Sequence, residues 1–138
     1  GAGQRSTSLA ASIDLPHTVL DLCGVAEYQG MQGTSLTPIV NNPAATVRDH
    51  VLVEDDFPMA VLVPALPLKT RTVLGADHRF TRDSNGHEML FDLNSDPDEL
   101  ANLAAPGHST AMRNAMLEAL VDAMMMATDL TRTEPVSP

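Results

Sequence analysis

The stretch Asp77-His-Arg-Phe-Thr-Arg-Asp-Ser-Asn-Gly-His-Glu-Met-Leu-Phe-Asp-Leu93 decides the fold. Its middle, Asp83-Ser84-Asn85-Gly86, is the kind of tetrapeptide that favours a tight turn between two strands. The flanking runs Asp77–Arg82 and His87–Leu93 have the length of strands and carry aliphatic, aromatic and β-branched residues. The stretch therefore predicts a β-hairpin.

Three further runs upstream have the composition and length of strands: His50–Glu54, Met59–Val63 and Thr70–Leu74. Prolines at positions 58, 64 and 67 surround the second run, and a proline cannot donate a hydrogen bond to a central strand. The Met59 run is thus at most an edge strand. Together with the hairpin, these runs predict a small antiparallel sheet of three to five strands.

Helical patterns stand before and after the strands. Ile13–Val25 has apolar residues near a helical period, with Asp14 as the expected N-cap and Gly24 as the expected stop. Ser35–Val40 predicts one helical turn. Ser109 is the expected cap of a long helix to about Thr128, whose apolar stripe predicts packing on the sheet: Met112, Met116, Ala119, Leu120, Ala123, Met124 and Ala127.

These elements predict an α+β fold, in which the small antiparallel sheet packs with the long C-terminal helix and a short helix precedes both. We expect residues 1–45 to form a lead-in and helix, 46–130 to form the α+β subdomain, and 131–138 to form a flexible tail. A first residue that is glycine rather than methionine leads us to expect that the chain starts inside a longer protein.

Composition excludes several classes of partner. The 138 residues include 8 Lys and Arg against 18 Asp and Glu, a formal net charge of -10. Nucleic acids and anionic membrane surfaces attract clustered cations, so we expect neither as a partner. Hydrophobic residues make up 43% of the chain, yet no apolar run is long enough for a membrane span.

The residues alone indicate no catalytic centre and no metal site. The five histidines are scattered, and the acidic run Glu54-Asp55-Asp56 is interpreted as a solvated strand end rather than a cation site. Cys23, the single cysteine, cannot form an internal disulfide, and we expect a buried, inert thiol. No glycine-rich phosphate loop and no Gly-x-Ser-x-Gly motif occurs.

Three segments in order resemble the C-terminal part of the sulfatase family. Residues 12–25, Ser-Ile-Asp-Leu-Pro-His-Thr-Val-Leu-Asp-Leu-Cys-Gly-Val, resemble the family's Asp-Leu-x-Pro-Thr helix, with His17 where the family usually has proline. Residues 31–40 are similar to its Gly-x-Ser-Leu-x-Pro segment, and residues 88–103 to its Glu-Leu-Tyr-Asp-Leu…Asp-Pro-x-Glu-x-x-Asn-Leu signature. The matching positions predict a structural rather than catalytic role: Asp14, Thr18, Gly33, Ser35, Leu36, Asp92, Asp96, Pro97, Glu99 and Asn102.

The resemblance implies an arylsulfatase-like hydrolase of the alkaline phosphatase superfamily. Such enzymes use a formylglycine, made from the first residue of a Cys/Ser-x-Pro-x-Arg motif, and a calcium or magnesium ion. These groups belong to the family's N-terminal catalytic domain. In this chain Cys23 is followed by Gly24-Val25, and Ser95-Asp96-Pro97-Asp98 is followed by Glu99 where arginine is required. We therefore expect no cofactor in this chain itself.

The resulting hypothesis is a C-terminal subdomain of a sulfuric-ester hydrolase that completes the fold, borders the substrate cleft and is inactive alone. A fragment of a related phosphoesterase and a stand-alone interaction or oligomerisation module are the alternatives. The expected partners are the upstream catalytic domain and, through exposed apolar residues, further copies of the chain. Arg71 and Arg79 are the candidates for contact with an anionic substrate; the localisation stays open.

Overall fold

The computed structural model describes residues 3–28, 30–57, 68–108 and 110–127. It contains two compact units. The first comprises the described residues up to Arg48 together with Met126 and Ala127, and the second comprises those of Asp49–Met125. The predicted Met59–Val63 strand, the Ser109 cap and the tail 131–138 lie outside the described residues.

The second unit contains a four-stranded antiparallel sheet in the order β1-β2-β3-β4. The strands are β1 (Val51–Phe57), β2 (Leu68–Leu74), β3 (His78–Asp83) and β4 (Glu88–Asp92), and the long C-terminal helix spans Thr110–Met126. The predicted α+β arrangement, with its hairpin, is confirmed.

The hairpin between β3 and β4 is held by its own aspartate. The Asp83 carboxylate accepts hydrogen bonds from the backbone N–H groups of Asn85 and His87, at 2.8 and 2.9 Å. Gly86 has a φ of +86°, which a glycine adopts without strain. The turn residues thus supply both the acceptor and the backbone freedom that this connection needs.

One face of the sheet carries the hydrophobic core of this unit. Val73, Phe80 and Leu90 occupy adjacent register positions on three neighbouring strands and are almost fully buried. Met116 and Leu120 of the long helix complete the cluster. Met112 and Met124, which belong to the predicted stripe, are 40% and 39% exposed, so the fully buried stripe is narrower than predicted.

Strand β1 is longer than predicted, because the acidic run continues it. Glu54 lies opposite Arg71 of β2, and Asp56 lies opposite Lys69. The Arg71 guanidinium is 2.8 Å from the Glu54 carboxylate and 2.6 Å from that of Asp56. Its hydrogen bond holds the pKa of Asp56 below the usual range. Cross-strand charge pairing therefore extends the sheet through these acids.

The first unit contains the two short helices α1 (Asp14–Leu22) and α2 (Thr37–Asn41); the long helix is α3. Helix α1 ends as predicted at Gly24, whose φ is +66°. The N–H groups of Gly24 and Val25 reach back to the carbonyls of Asp21 and Leu20, which is the Schellman pattern.

Two expectations about α1 are wrong. The N-cap is Ile13 rather than Asp14, and an isoleucine side chain has no atom that could accept a cap hydrogen bond. The Asp14 carboxylate accepts instead from the N–H groups of Ala11 and Thr34. Cys23 is exposed rather than buried, since it lies at the C-cap of a helix whose apolar residues face outward.

Candidate functional site

Helix α1 buries most of its polar side chains inside the first unit, with Asp21 left exposed. Asp14, His17 and Thr18 are the buried residues of the helix, and Asp14 has no solvent-exposed surface. The Asp14 carboxylate accepts hydrogen bonds from the N–H of Ala11 at 2.7 Å and of Thr34 at 2.9 Å. It also pairs with the guanidinium of Arg48. One carboxylate thus joins three segments that are distant in sequence.

The segment after residue 33 is attached to the same face of α1. The Thr18 hydroxyl donates to the Asp14 carbonyl at 2.8 Å and accepts from the N–H of Leu36 at 2.9 Å. The Ser35 hydroxyl donates to the Asp21 carboxylate at 2.5 Å. Hydrogen bonds from Ser35 and Thr37 lower the pKa of Asp21. Their effect is to fix the entry to α2 against α1.

Gly33 lies where this segment passes closest to the helix. A Cβ at this position would be 2.2 Å from the carbonyl oxygen of Ile13 and 2.5 Å from Cδ2 of His17. The backbone therefore needs a residue without a side chain. The structure thus brings together five positions of the sulfatase-like motif: Asp14, Thr18, Gly33, Ser35 and Leu36.

His17 forms a dyad with Glu27 beside a groove. Nδ1 of His17 is 2.7 Å from the carboxylate of Glu27, while the buried Nε2 has no hydrogen-bond partner among the residues that the structure describes. The groove has a volume of about 300 Å³. Its lining is largely apolar and consists of Ile13, Pro16, His17, Tyr28, Gly30, Met31 and Gln32.

The apolar side chains of α1 point to solvent. Leu15, Val19 and Leu22, spaced as one helical stripe, are 59%, 59% and 65% exposed; we call them the α1 apolar stripe. In an ordinary surface helix the apolar stripe faces the core and the polar side chains face water. Helix α1 has the reverse arrangement within its own unit.

The remaining motif positions organise the chain after β4. The Asp92 carboxylate accepts the N–H and the hydroxyl of Ser95, and Asp96 accepts the N–H groups of Leu100 and Ala101. Hydrogen bonds from Ser95 and Asn94 lower the pKa of Asp92. Pro97 lies in the turn that the N–H of Glu99 closes on the Asp96 carbonyl.

Asn102 fixes the end of this connection to the edge of the sheet. Its side-chain oxygen accepts the N–H of Leu90 at 3.0 Å, and its Nδ2 donates to the carbonyl of Glu88 at 3.0 Å. The N–H of Leu103 bonds the Leu90 carbonyl at 2.8 Å. The outer edge of β4 is therefore occupied by this segment.

The two substrate-contact candidates lie on opposite faces of the sheet. Arg71 lies directly opposite Arg82 of β3, so these two side chains are on the same face of the sheet. Arg79 is three residues from Arg82 on β3, and residues an odd number apart on a strand are on opposite faces. Arg79 forms two hydrogen bonds with Glu99, at 2.5 and 2.6 Å, and lies over the ring of Phe91. Both arginines are thus engaged with carboxylates, and contact with an anionic substrate stays a prediction.

Glu99, the carboxylate partner in that ion pair, has an uncommon backbone conformation. Its φ of 55° lies in the left-handed region, which residues other than glycine seldom adopt. The Arg79 guanidinium lowers the pKa of Glu99 through its hydrogen bonds. The pair fixes the connection after β4 rather than leaving a free charge.

The cofactors that the family resemblance implies do not fit the residues present. Among the described residues, no group of three or more His, Cys, Asp or Glu side chains could hold a metal ion. Neither Cys23 nor Ser95 stands in the sequence that formylglycine formation requires. In the part of the chain that the structure describes, no helix is long and apolar enough to cross a membrane.

Sequence reasoning missed Glu27 and Arg48 as members of the α1 site. Glu27 is 10 residues from His17, and Arg48 is 34 residues from Asp14. Neither pair has a helical or strand spacing that would indicate contact. The one sequence feature that pointed to this site was His17, which stands where the sulfatase family usually has proline.

Comparison with known proteins identifies the family. The model of the family described as N-sulphoglucosamine sulphohydrolase, C-terminal, matches residues 1–126. The ulvan-active sulfatase of Formosa agariphila is 25% identical over 116 residues, covering 82% of this chain and 22% of that protein.

Solved structures share the fold. A protein solved in complex with its substrate, D-glucosamine-2-N,6-O-disulfate, superposes with a TM-score of 0.79 at 20% identity, over 96% of this chain and 28% of that one. The phosphonate monoester hydrolase of Agrobacterium radiobacter gives 0.74 at 22% identity, over 95% and 29%. This chain therefore spans between a fifth and a third of the length of these proteins. The chain belongs to the N-sulphoglucosamine sulphohydrolase C-terminal family and is a sulfatase C-terminal region.

Proposed function

We propose that this chain completes the fold of a sulfuric-ester hydrolase of the sulfatase family by docking on the catalytic part of that enzyme, and that it has no turnover by itself. The observation that carries the proposal is the reversed helix α1. Its side chains Asp14, His17 and Thr18 are buried inside the unit, and the α1 apolar stripe is exposed.

Burial of that stripe would contribute substantially to docking. Covering a leucine or valine side chain fully is worth about 1.5–3 kcal/mol. The stripe contains three such residues, Leu15, Val19 and Leu22, which are each more than half exposed. The catalytic part of a sulfatase is the occupant we infer, because the related proteins are several times longer than this chain.

The residues present support an inactive role for the chain alone. Ester hydrolysis in this family requires a nucleophile and groups that stabilise developing negative charge. The acids of the motif hold backbone N–H groups, and the two candidate arginines are bound to carboxylates. These side chains build the fold, and the upstream catalytic part would supply the nucleophile and cation.

The test is association in trans. The upstream segment of the same gene is produced separately, and aryl-sulfate hydrolysis is measured with calcium or magnesium, with and without the 138-residue chain. We expect no turnover from the chain alone and higher turnover or stability of the catalytic segment when both are present. Turnover by the purified chain that a substitution within it abolishes would overturn the proposal.

A charged residue placed in the α1 apolar stripe tests the docking surface, and the same charge placed on α3 serves as the matched control. Val19→Asp should weaken association strongly, because a carboxylate would be buried at the contact. Val121→Asp, on an exposed site of α3, introduces the same charge elsewhere and should leave association unchanged. Loss of association with Val121→Asp alone would place the docking surface on α3 and contradict the proposal.

The parent could instead cleave a phosphate or phosphonate ester, since the phosphonate monoester hydrolase has the same fold in this region. The two chemistries are separated by assaying aryl sulfates, aryl phosphates and phosphonate monoesters with the reconstituted pair. A stand-alone interaction module would bind other proteins without raising the activity of any upstream segment.

A further inference from the structure

The tip of the β3–β4 hairpin presents an asparagine that is followed by a glycine. The residues from Ser84 to His87 are all exposed to solvent. The backbone N–H of Asn85 donates to the Asp83 carboxylate at 2.8 Å, whereas the Asn85 side-chain amide has no hydrogen-bond partner among the residues that the structure describes. Water therefore reaches this amide, and no contact fixes its orientation.

The backbone nitrogen that follows Asn85 is equally open. Gly86 has a φ of +86°, and beyond its chain neighbours the nearest heavy atom to a Cβ built there would be Nη2 of Arg82, at 3.9 Å. The Gly86 N–H donates to the Asp83 carbonyl at 3.1 Å. Because hydrogen bonds in an exposed turn open in local fluctuations without unfolding of the domain, the Gly86 nitrogen becomes free to react.

The other asparagines of the chain lack this combination. None of them is followed by glycine, and Asn42 is followed by a proline, which has no N–H. Both ends of the Asn102 amide are bonded to β4, and Nδ2 of Asn94 donates to the Asp77 carboxylate at 3.0 Å. Asn85 is thus the asparagine that joins an exposed, unbonded amide to a glycine neighbour.

We infer that Asn85 is a site of spontaneous modification, at which water converts the hairpin tip to a mixture of aspartate and isoaspartate. Asparagine is one of the thermolabile residues of proteins. In the first step the deprotonated Gly86 nitrogen attacks Cγ of Asn85. A C–N bond forms, the Cγ–Nδ2 bond breaks, and Nδ2 leaves as ammonia. A cyclic imide remains, closed between the side chain and the backbone.

Water completes the reaction by opening this imide. Addition at Cγ breaks the bond made in the first step and gives an ordinary aspartate. Addition at the backbone carbonyl carbon breaks the original peptide bond and gives isoaspartate, in which the main chain runs through Cγ. In both cases one water molecule is consumed and one ammonia is released, and nothing is oxidised or reduced. The exposed tip supplies the only co-reactant, which is water.

Either product changes the turn that closes the hairpin. The new carboxylate is ionised near neutral pH and lies two residues from Asp83, whose own carboxylate accepts the N–H groups of Asn85 and His87. Isoaspartate also lengthens the main chain inside this turn. Since β3 and β4 place Phe80 opposite Leu90 in the core, a loosened turn should lower the stability of the second unit. The inference concerns the ageing of this chain and is independent of the proposed function.

The experiment incubates the full 138-residue chain in mildly alkaline buffer, which promotes loss of the Gly86 N–H proton. Isoelectric focusing follows the charge. Peptide mass spectrometry with electron-transfer fragmentation locates the changed residue and separates aspartate from isoaspartate. We expect the formal net charge to fall by one unit from -10, with Asn85 modified before any other asparagine and both products present. Conversion of Asn94 as fast as that of Asn85 would overturn the inference.

Two variants and the unfolded chain serve as controls. Asn85→Gln keeps an amide, but its longer side chain closes the corresponding ring much more slowly, so this variant should retain its charge; an equal rate of charge loss would contradict the inference. Asn85→Asp contains ordinary aspartate from the start, and the aged chain should melt below it because only the aged chain contains isoaspartate. Equal melting temperatures would contradict the loosened turn. Modification of Asn85 in urea but not in the folded chain would show that the hairpin protects this residue, and the inference would be wrong.

Discussion

Replacement of Asp14 tests whether the buried carboxylate holds the first unit together. Asp14→Ala removes the acceptor of two backbone N–H groups and the partner of Arg48, whose side chain is only 17% exposed. Asp14→Asn keeps the shape and one acceptor oxygen but loses the charge. The exposed Asp98 provides a control, Asp98→Asn, with the same change in net charge.

The expected loss of stability follows from the groups that the substitution leaves without hydrogen-bond or ion-pair partners. Removing one member of a buried ion pair costs about 3–5 kcal/mol, and the partial exposure of Arg48 favours the lower end. Each orphaned N–H adds about 1 kcal/mol. Asp14→Ala should therefore destabilise this unit by about 5 kcal/mol, and Asp14→Asn by about 2–3 kcal/mol. The larger value is comparable to the whole stability of many domains.

The assay is native-state hydrogen exchange, because the two units need not unfold together. The Thr34 amide, which donates to Asp14 at 2.9 Å, reports on the first unit, and the Leu90 amide, which donates to Asn102, reports on the second. We expect rapid exchange of Thr34 in Asp14→Asn with little change at Leu90. Unchanged exchange of Thr34, or an equal effect of Asp98→Asn, would refute the reasoning.

Three further outcomes are expected. Gly33→Ala should destabilise the first unit by about 1–3 kcal/mol, measured by urea unfolding, since the new methyl group would overlap the carbonyl of Ile13; unchanged stability would contradict the contact. Arg113 lowers the pKa of Glu88 below its usual value. The stability that this pair contributes is therefore fully present above the pKa that Glu88 has in the unfolded chain, and it is lost as the pH falls through the lower pKa of the folded state. The melting temperature of Glu88→Gln should accordingly depend less on pH in that acid range than that of the unchanged chain. The isolated chain should associate through the α1 apolar stripe, and Leu15→Asp should shift it toward monomer in light scattering; a clean monomer at high concentration would count against this.

The sheet was predictable because its signals are local. The tetrapeptide at 83–86 and the strand-length runs of aliphatic, aromatic and β-branched residues on either side of it predict the hairpin without reference to the rest of the chain. The length of strand β1 was underestimated, because the reason for its extension is not local in sequence. Its acids become strand residues only because Arg71 and Lys69 lie opposite them on β2.

Helix α1 shows why an apolar period does not say what it packs against. Its spacing predicted a helix correctly, but the same period is compatible with a core inside the unit or with a surface left for another partner. The polar contacts that decide between them come from Thr34, Leu36 and Arg48, which are remote in sequence.

The two outer strands of the sheet limit how copies of this chain can associate. Strand β4 is occupied along its edge by Asn102 and Leu103, so a further strand would have to displace them. Strand β1 presents Glu54, Asp55 and Asp56 in succession, and an identical strand laid against it would bring like charges together. The acids of β1 and the segment that covers the edge of β4 thus disfavour the strand addition by which fibres form. We expect copies of this acidic chain to associate through their helical surfaces instead.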